Sequence, residues 1–265
     1  MPDVQVAPLP AWCDPLRLLG PGAWTIDGEV ATATLSVHNA ADLAARLRGV
    51  GLAGRPIVVQ IDPALPRAAV RAARTEDARR RRATSPGFTR PGAKLDAEGK
   101  VSLTPEALAL AIGRRAKGRV VIDAGCGCGG NAIGFARGGA TVTAIERDAG
   151  RLAMARHNTR LYGVDVRFVH GDAVELLPSL AGDLVFVDPP WGVDWDRARV
   201  GLADVPLLSG VLAAAGGREV WAKVPPSFAV DELPEAVPEA FHGVAEGDAR
   251  RVKFLLLRRR ATIPP

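Results

Sequence analysis

The sequence has no run of 18 or more apolar residues, the length a membrane-spanning helix requires, which excludes a helical integral membrane protein. It has three cysteines, Cys13, Cys126 and Cys128. That is too few for a disulfide framework and points to a reducing, cytoplasmic setting. Met1–Gln5 shows no basic cluster followed by an apolar stretch, which argues against a secretory signal. Internal repeats and long low-complexity tracts are absent. The four histidines (His38, His157, His170, His242) share no spacing that suggests a metal site or a catalytic triad. What remains is ordinary for a folded chain: 265 residues, 48% hydrophobic and 24% charged, enough for one large domain or a medium domain with an appendage.

The net charge is only +5, but it is unevenly placed. Between Arg67 and Lys94 there are nine Lys and Arg residues and two acids, Glu76 and Asp77, so the rest of the chain is slightly acidic. A local basic patch, densest at Arg79, Arg80, Arg81 and Arg82, suits a polyanionic partner. The competing reading is a solvated, Arg-rich helix with no partner.

Two patterns follow one another along the chain. Residues 1 to about 24 are rich in Pro and Gly and read as an irregular arm. Thr25–Val37 suggests a strand or a hairpin through Asp27-Gly28. Ala40–Arg48 has helical spacing, Pro56–Ile61 is a short β-branched run, and Ala64–Arg82 reads as a basic helix. From Gly99 onward strands and helices alternate. Thr104-Pro105-Glu106 has the chemistry of a helix start, with Thr as N-cap and Pro in the first turn. Strands are expected at Arg119–Asp123, Thr141–Glu146, Val166–His170, Leu184–Asp188 and Glu219–Val224, with helices between them. Phe241–Ala245 and Val252–Leu257 form a closing antiparallel pair. Such alternation implies a parallel sheet with right-handed crossovers. Division is expected near residue 90, into an N-terminal α/β extension (1–90) and a larger domain (91–265).

The first strand of the larger part runs into Asp123-Ala124-Gly125-Cys126-Gly127-Cys128-Gly129-Gly130-Asn131. Its glycines permit a sharp bend and close approach of a ligand, and the next helix presents its N-terminal amides there. Gly125, Gly127 and Gly130 also satisfy the dinucleotide spacing, so the loop alone is ambiguous. Three acids favour S-adenosylmethionine. Asp123 can accept from an ammonium group, Glu146 can bind ribose hydroxyls at the next strand end, and Asp172 can meet an adenine amine after the third. Taken singly, each acid is equally readable as a helix cap or a solvated strand end. Cys126 and Cys128 have no further ligands at zinc-site spacing, so no metal is expected.

The fourth strand stops at Asp188-Pro189-Pro190-Trp191. Two prolines fix an extended turn without N–H groups. The Asp188 carboxylate and the Pro189 carbonyl can then accept both hydrogens of one exocyclic base amine, while Trp191 stacks on the base. An ordinary turn with a buried Trp is the bland alternative. Lys223, at the end of the next strand, is a weaker candidate for a substrate phosphate.

Together these motifs resemble the trimethylguanosine synthase-like, cap-guanine N2 methyltransferases. The resemblance covers roughly Pro91 to Trp191. Gly92-Ala93-Lys94-Leu95-Asp96, Gly99 and Ser102-Leu103-Thr104-Pro105-Glu106 are similar to that family's signature, as are the glycine loop, Ala155-Arg156-His157-Asn158, Tyr162-Gly163 and Gly171-Asp172. It implies a Rossmann-like class I methyltransferase with a C-terminal antiparallel strand pair, S-adenosyl-L-methionine as cofactor, and transfer to guanine N2 in RNA. Asp123, Glu146, Asp172 and Thr104 would fall in the cofactor site together with Gly125, Gly127 and Asn131. Two departures stand out. Asp188 replaces the family's serine, as in other amino-group methyltransferases acting on guanine or adenine, and Val193 replaces a glycine after the Trp. The first 85 residues do not resemble the family and are expected to present RNA.

Two other functions fit the same residues. One is methyl transfer to a small molecule or a protein side chain, with the Arg run merely solvated. The other is a non-catalytic RNA-binding module of the same fold. Catalysis is favoured because all the motif positions are intact.

Overall fold

The computed structural model describes residues 1–191 and 194–262. The Val193 departure therefore lies outside the described residues. The N-terminal part contains β1 (Asp3–Ala7), α1 (Pro15–Leu19), β2 (Thr25–Asp27), β3 (Val30–Thr34), α2 (Val37–Leu47), β4 (Gly51–Leu52), β5 (Arg55–Pro56), β6 (Val58–Asp62) and α3 (Arg67–Arg80). The remainder contains α4 (Ala97–Ser102), α5 (Glu106–Arg115), β7 (Val120–Ala124), α6 (Gly130–Arg137), β8 (Thr141–Glu146) and α7 (Ala149–Tyr162). These are followed by β9 (Arg167–His170), α8 (Ala173–Leu176), β10 (Leu184–Val187), α9 (Pro206–Ala214), β11 (Glu219–Val224), β12 (Ala236–His242) and β13 (Val252–Arg259).

The larger sheet has the order β12-β13-β11-β10-β7-β8-β9. β7 to β11 are parallel, and β13 runs antiparallel to both β11 and β12. The expected closing pair is present, its first strand beginning earlier, at Ala236. Along β10 the four residues alternate between two cores. Leu184 and Phe186 join the cluster under α5 and α6, whereas Val185 and Val187 join the one under α8 and α9. Burial on both faces explains why these strands read as continuous apolar runs. The strand order reverses between β7 and β10, and a crevice outside the C-terminal ends of these strands is where such sheets hold ligands.

Helix α5 approaches α6 closely enough that a Cβ on Gly113 would lie 2.0 Å from the Gly134 carbonyl oxygen. This contact sets α5, and the Thr104-Pro105 step before it, against the helix that follows the glycine loop. Thr104 is not the N-cap of α5. Pro105 occupies that position without a side-chain cap, and the Thr104 hydroxyl turns into the crevice.

The first 24 residues are not an irregular arm. β1 lies inside a four-stranded antiparallel sheet of order β2-β3-β1-β6. Its Val4 and Val6 are buried while Asp3 and Gln5 face solvent. That alternation spans only five residues among prolines, which hides it in the sequence. The hairpin through Gly28 and the basic helix α3 form as expected. The helix α4 was not foreseen. It is capped by Asp96, whose carboxylate accepts from the Gly99 amide at 2.7 Å. The two parts share one apolar cluster, which runs from Val4, Val6 and Leu43 to Val185 and Val220. Buried Arg46 adds donors to the Leu18 and Leu19 carbonyls. No helix among the described residues is long and apolar enough to cross a membrane.

Glycine to alanine in a helix interior ordinarily gains about 1 kcal/mol. Gly113→Ala should instead cost about 1–3 kcal/mol, because its methyl group meets backbone that cannot move aside. Urea unfolding of the variant measures the sign.

Candidate active site

The loop after β7 bends through three glycines with left-handed backbone: Gly125 (φ 88°), Gly127 (φ 54°) and Gly129 (φ 89°). The Ile145 carbonyl accepts from the amides of Gly125 and Cys126 at 3.0 and 2.8 Å, tying the bend to β8. A Cβ on Gly129 would touch Ala155 at 3.1 Å, whereas one on Gly127 would meet nothing within 4 Å. The bend is thus packed behind and open at Gly127. Glu146 fixes it from the next strand end. Its Oε2 accepts from the Gly127 amide at 2.8 Å and its Oε1 from the Asp148 amide at 2.9 Å. Each of these oxygens keeps a further lone pair. Asp172 caps α8 through Oδ1, which accepts from Val174 N at 2.8 Å and Glu175 N at 3.4 Å, leaving Oδ2 without a partner among the described residues.

Asp123 is fully buried (0% exposed), and neither carboxylate oxygen has a hydrogen-bond partner among the described residues. Burial, reinforced by the charges of Asp188 and Glu146, pushes its pKa up to about 8. A buried acceptor pair without donors is costly in a native protein. A ligand bearing a cationic donor fits that need, and the open Gly127 face fits its approach.

The Asp188 carboxylate is the convergence point of the crevice. Its Oδ2 accepts from Lys223 Nζ at 2.7 Å, Asn131 Nδ2 at 3.0 Å and Thr104 Oγ1 at 3.3 Å. These donors come from β11, α6 and the segment before α5. Oδ1 has no partner among the described residues, and the side chain is 16% exposed. The Pro189 carbonyl likewise receives no backbone hydrogen bond among those residues. Trp191 is partly buried against the cluster that contains Phe186 and Trp221, its Nε1 buried without a partner among the described residues, with Trp195 edge-on at 5.9 Å. The Lys223 ammonium lies 5.0 Å from the Trp191 ring centroid, within cation–π range.

One expectation changes. Lys223 does not present itself to a phosphate: its side chain is 4% exposed and its ammonium is paired with Asp188, near the Trp191 and Phe254 rings. Thr104 and Asn131, expected in the cofactor site, both donate to Asp188 in the crevice. Of the basic patch, Arg79 pairs with Glu76, Arg80 with Glu76 and Asp42, and Arg81 with Asp77, whereas Arg82 is exposed with no ion pair among the described residues. Sequence reasoning missed the supports of the site. Asn158 is fully buried. It accepts from Lys94 N at 2.8 Å and donates to the Lys94 and Cys128 carbonyls at 2.9 Å, clamping the segment before α4 onto the glycine bend. At Glu106 burial opposes ionisation. Hydrogen bonds from Tyr162 and Thr89, with the Arg137 cation, outweigh it and hold the pKa at about 2. Both residues sat within the quoted motifs, but only tertiary contact gives them a task.

The fold is Rossmann-like, as in the class I methyltransferases, which use S-adenosyl-L-methionine. Among these the chain resembles the trimethylguanosine synthase-like enzymes, and the family model described as RNA cap guanine-N2 methyltransferase matches residues 118–199. That stretch carries the glycine bend, Glu146, Asp172 and Asp188-Pro189-Pro190-Trp191. Trimethylguanosine synthase of Schizosaccharomyces pombe is 42% identical over 113 residues, 38% of this chain and 47% of the relative. An uncharacterised RNA methyltransferase of Gloeobacter violaceus is 33% identical over 120 residues, 45% of this chain and 24% of the relative. The chain thus spans about half the length of the first and about a quarter of the second. Among solved structures, the Thermus thermophilus 16S rRNA N2 G1207 methyltransferase, in complex with AdoMet and guanosine, overlays with a TM-score of 0.46 at 17% identity, covering 93% of this chain and 60% of that one.

Asp123 supplies a pH test. Its pKa is higher folded than in its ordinary state near 3.8, so the folded form holds the proton more tightly. Its contribution to stability is therefore greatest below about pH 4 and is lost as the pH rises through about 8. In ligand-free protein, the Tm of Asp123→Asn minus that of the wild type should grow across this window and level off above it. A difference that stays constant from pH 4 to 9 would count against the assignment.

Proposed function

We propose that the protein transfers a methyl group from S-adenosyl-L-methionine to the exocyclic amine of a base in RNA, with guanine N2 the preferred acceptor. The observation that carries this reading is the division of labour within one carboxylate. Asp188 Oδ2 is held by three donors while Oδ1 has no partner among the described residues, in the turn that continues directly into Pro189 and Trp191.

When bound, the cofactor supplies an electrophilic methyl group on a sulfonium centre. The open Gly125–Gly127 bend would lie along it, Asp123 would face its ammonium, Glu146 its ribose hydroxyls and Asp172 its adenine amine. On the substrate side, Trp191 stacks on the base. The amine donates one hydrogen to Asp188 Oδ1 and the other to the Pro189 carbonyl. Both bonds draw the nitrogen lone pair out of conjugation with the ring and aim it. Asp188 Oδ1 then receives the proton that nitrogen must lose. Lys223, Asn131 and Thr104 keep the carboxylate from rotating, so that Oδ1 alone faces the base. Lys223 also lies against the Trp191 ring, which ties the stacking surface to the acceptor.

Residues 1–90 are the proposed RNA-presenting module and 91–265 the methyltransferase domain. A second reading, transfer to adenine N6, draws support from Asp188 in place of the serine of the cap-guanine family. Labelled methyl transfer to RNA, DNA and free nucleosides, followed by mass spectrometry of the digested product, separates the two. Activity on nucleosides alone would overturn the RNA reading.

Asp188→Ala should lower kcat about 100-fold or more while cofactor affinity measured by calorimetry changes little. An unaffected rate would remove Asp188 from the reaction. Trp191→Ala should weaken RNA binding by about 1–3 kcal/mol, the cost of one lost base stack. Lys223→Ala leaves a carboxylate without its buried partner, and urea unfolding should show a loss of about 3–5 kcal/mol.

A further inference from the structure

The dense run Arg79–Arg82 is the part of the basic patch least available to a ligand. Arg80 clamps α3 to α2 through Asp42 at 2.7 Å, and Arg79 and Arg81 pair with Glu76 and Asp77 on their own helix. Arg251, just before β13, holds the other oxygen of Asp77. These arginines fasten the helix, whose apolar contact with α2 is thin: Ala73 packs on Ala41 and Ala45.

Four other arginines behave differently. Arg67, Arg71, Arg74 and Arg82 are exposed, and no carboxylate pairs with any of them among the described residues. At 100° per residue the three within α3 fall in one stripe about 60° wide, about 110° round the helix from the side that buries Ala73 and Asp77. Arg82, just past the helix end, continues the same line. Seven residues at 1.5 Å rise place Arg67 and Arg74 about 10 Å apart, about three nucleotide rises of one strand.

The stripe leads towards the crevice. The C-terminal end of α3 rests on the loop between β12 and β13, where Gly247 N donates to the Ala83 carbonyl at 3.0 Å. Buried Asp248 in that loop accepts from Ser85 N and Oγ at 2.8 and 2.7 Å. Because β13 is antiparallel to β11, with Leu255 opposite Val224, that loop lies beyond the C-terminal ends of the parallel strands. This is the edge at which Asp188 stands. The outer face of the N-terminal sheet is the wrong surface for a polyanion. It carries a shallow hollow of about 520 Å³ lined by Asp3, Gln5, Thr34, Gln60 and Asp62, and none of its four strands contains Lys or Arg.

We propose that Arg67, Arg71, Arg74 and Arg82 form a rail for the phosphates of RNA flanking the nucleotide in the crevice, with the outer sheet face turned away from it. The proposal rests on RNA being the substrate, and binding can test it apart from catalysis. A labelled single-stranded RNA of about 20 nucleotides is titrated at several KCl concentrations with wild type, R67A/R71A/R74A, and R114A/K117A/R160A. The last removes the same charge from exposed positions at the C-terminal ends of α5 and α7, at the opposite end of the parallel strands from the glycine bend. The rail variant should lower the slope of log K against log salt by about 2, since each single-strand phosphate contact contributes about 0.7. The remote variant should keep the wild-type slope, and both should keep wild-type Tm and cofactor affinity. Equal slopes for the rail variant and the wild type would overturn the rail, as would an equal loss in the remote variant. Loss of binding to phosphatidylserine vesicles with RNA affinity unchanged would assign the stripe to a membrane surface and overturn it too. Wild-type methylation of RNA with an unaltered slope in the rail variant would sink the rail alone. A lowered slope in a protein that methylates no RNA would uphold the rail and sink the proposed reaction.

Discussion

One carboxylate oxygen organises the crevice. Asp188 Oδ2 gathers an ammonium from β11, an amide from α6 and a hydroxyl from the segment before α5. The three donors can meet only because the parallel sheet reverses its strand order between β7 and β10, opening a gap at that point. A carboxylate with one oxygen fixed in three directions has little freedom to turn, so the other oxygen is pre-positioned. Such preorganisation gives hydrogen bonds their value in a reaction, because no reorganisation is then needed as charge develops. The Gly113–Gly134 contact and the Asn158 clamp are more remote expressions of the same requirement. Each holds one contributor to the crevice in register with the others.

Charge is sorted by depth. The strand ends around the crevice carry Asp123, Glu146, Asp172 and Asp188, and Asp123 is fully buried with no hydrogen-bond partner for its carboxylate among the described residues. Such a floor suits a cationic, hydroxyl-bearing ligand and repels phosphates. The unpaired arginines lie outside, along α3, where a polyanion can be held without passing over the acids. The buried Lys223 lies between these regions, and its charge is matched by Asp188. An RNA with one base extruded into the crevice and its backbone on α3 would meet favourable charge at both places.

The N-terminal part is built into the molecule and not simply appended. Its inner sheet face shares an apolar cluster with the central sheet. Arg46, the Asp77–Arg251 pair and the Ser85–Asp248 bonds add polar ties, and Asp248 is itself held below the ordinary carboxylate range: burial opposes this, but the Ser85 hydrogen bonds and Lys253 outweigh it. α3 therefore has a fixed position relative to the crevice, which a phosphate rail would need.

The alternation of strands and helices after Gly99, the glycine bend, the acids at successive strand ends and the Asp188-Pro189-Pro190-Trp191 turn were all legible in the sequence. They depend on local periodicity and on residues whose backbone limits are intrinsic, and the family resemblance rests on the same stretch. Tertiary structure alone decided the partners. β1 was hidden because five alternating residues between prolines carry little signal until neighbouring strands supply the other half of the hydrogen bonds. Lys223, Thr104 and Asn131 lie far apart in the chain, and only the fold turns them onto one oxygen. The Arg run looked most basic where its charges were most neutralised, since a sequence shows how many charges there are but not which carboxylates stand within reach of them.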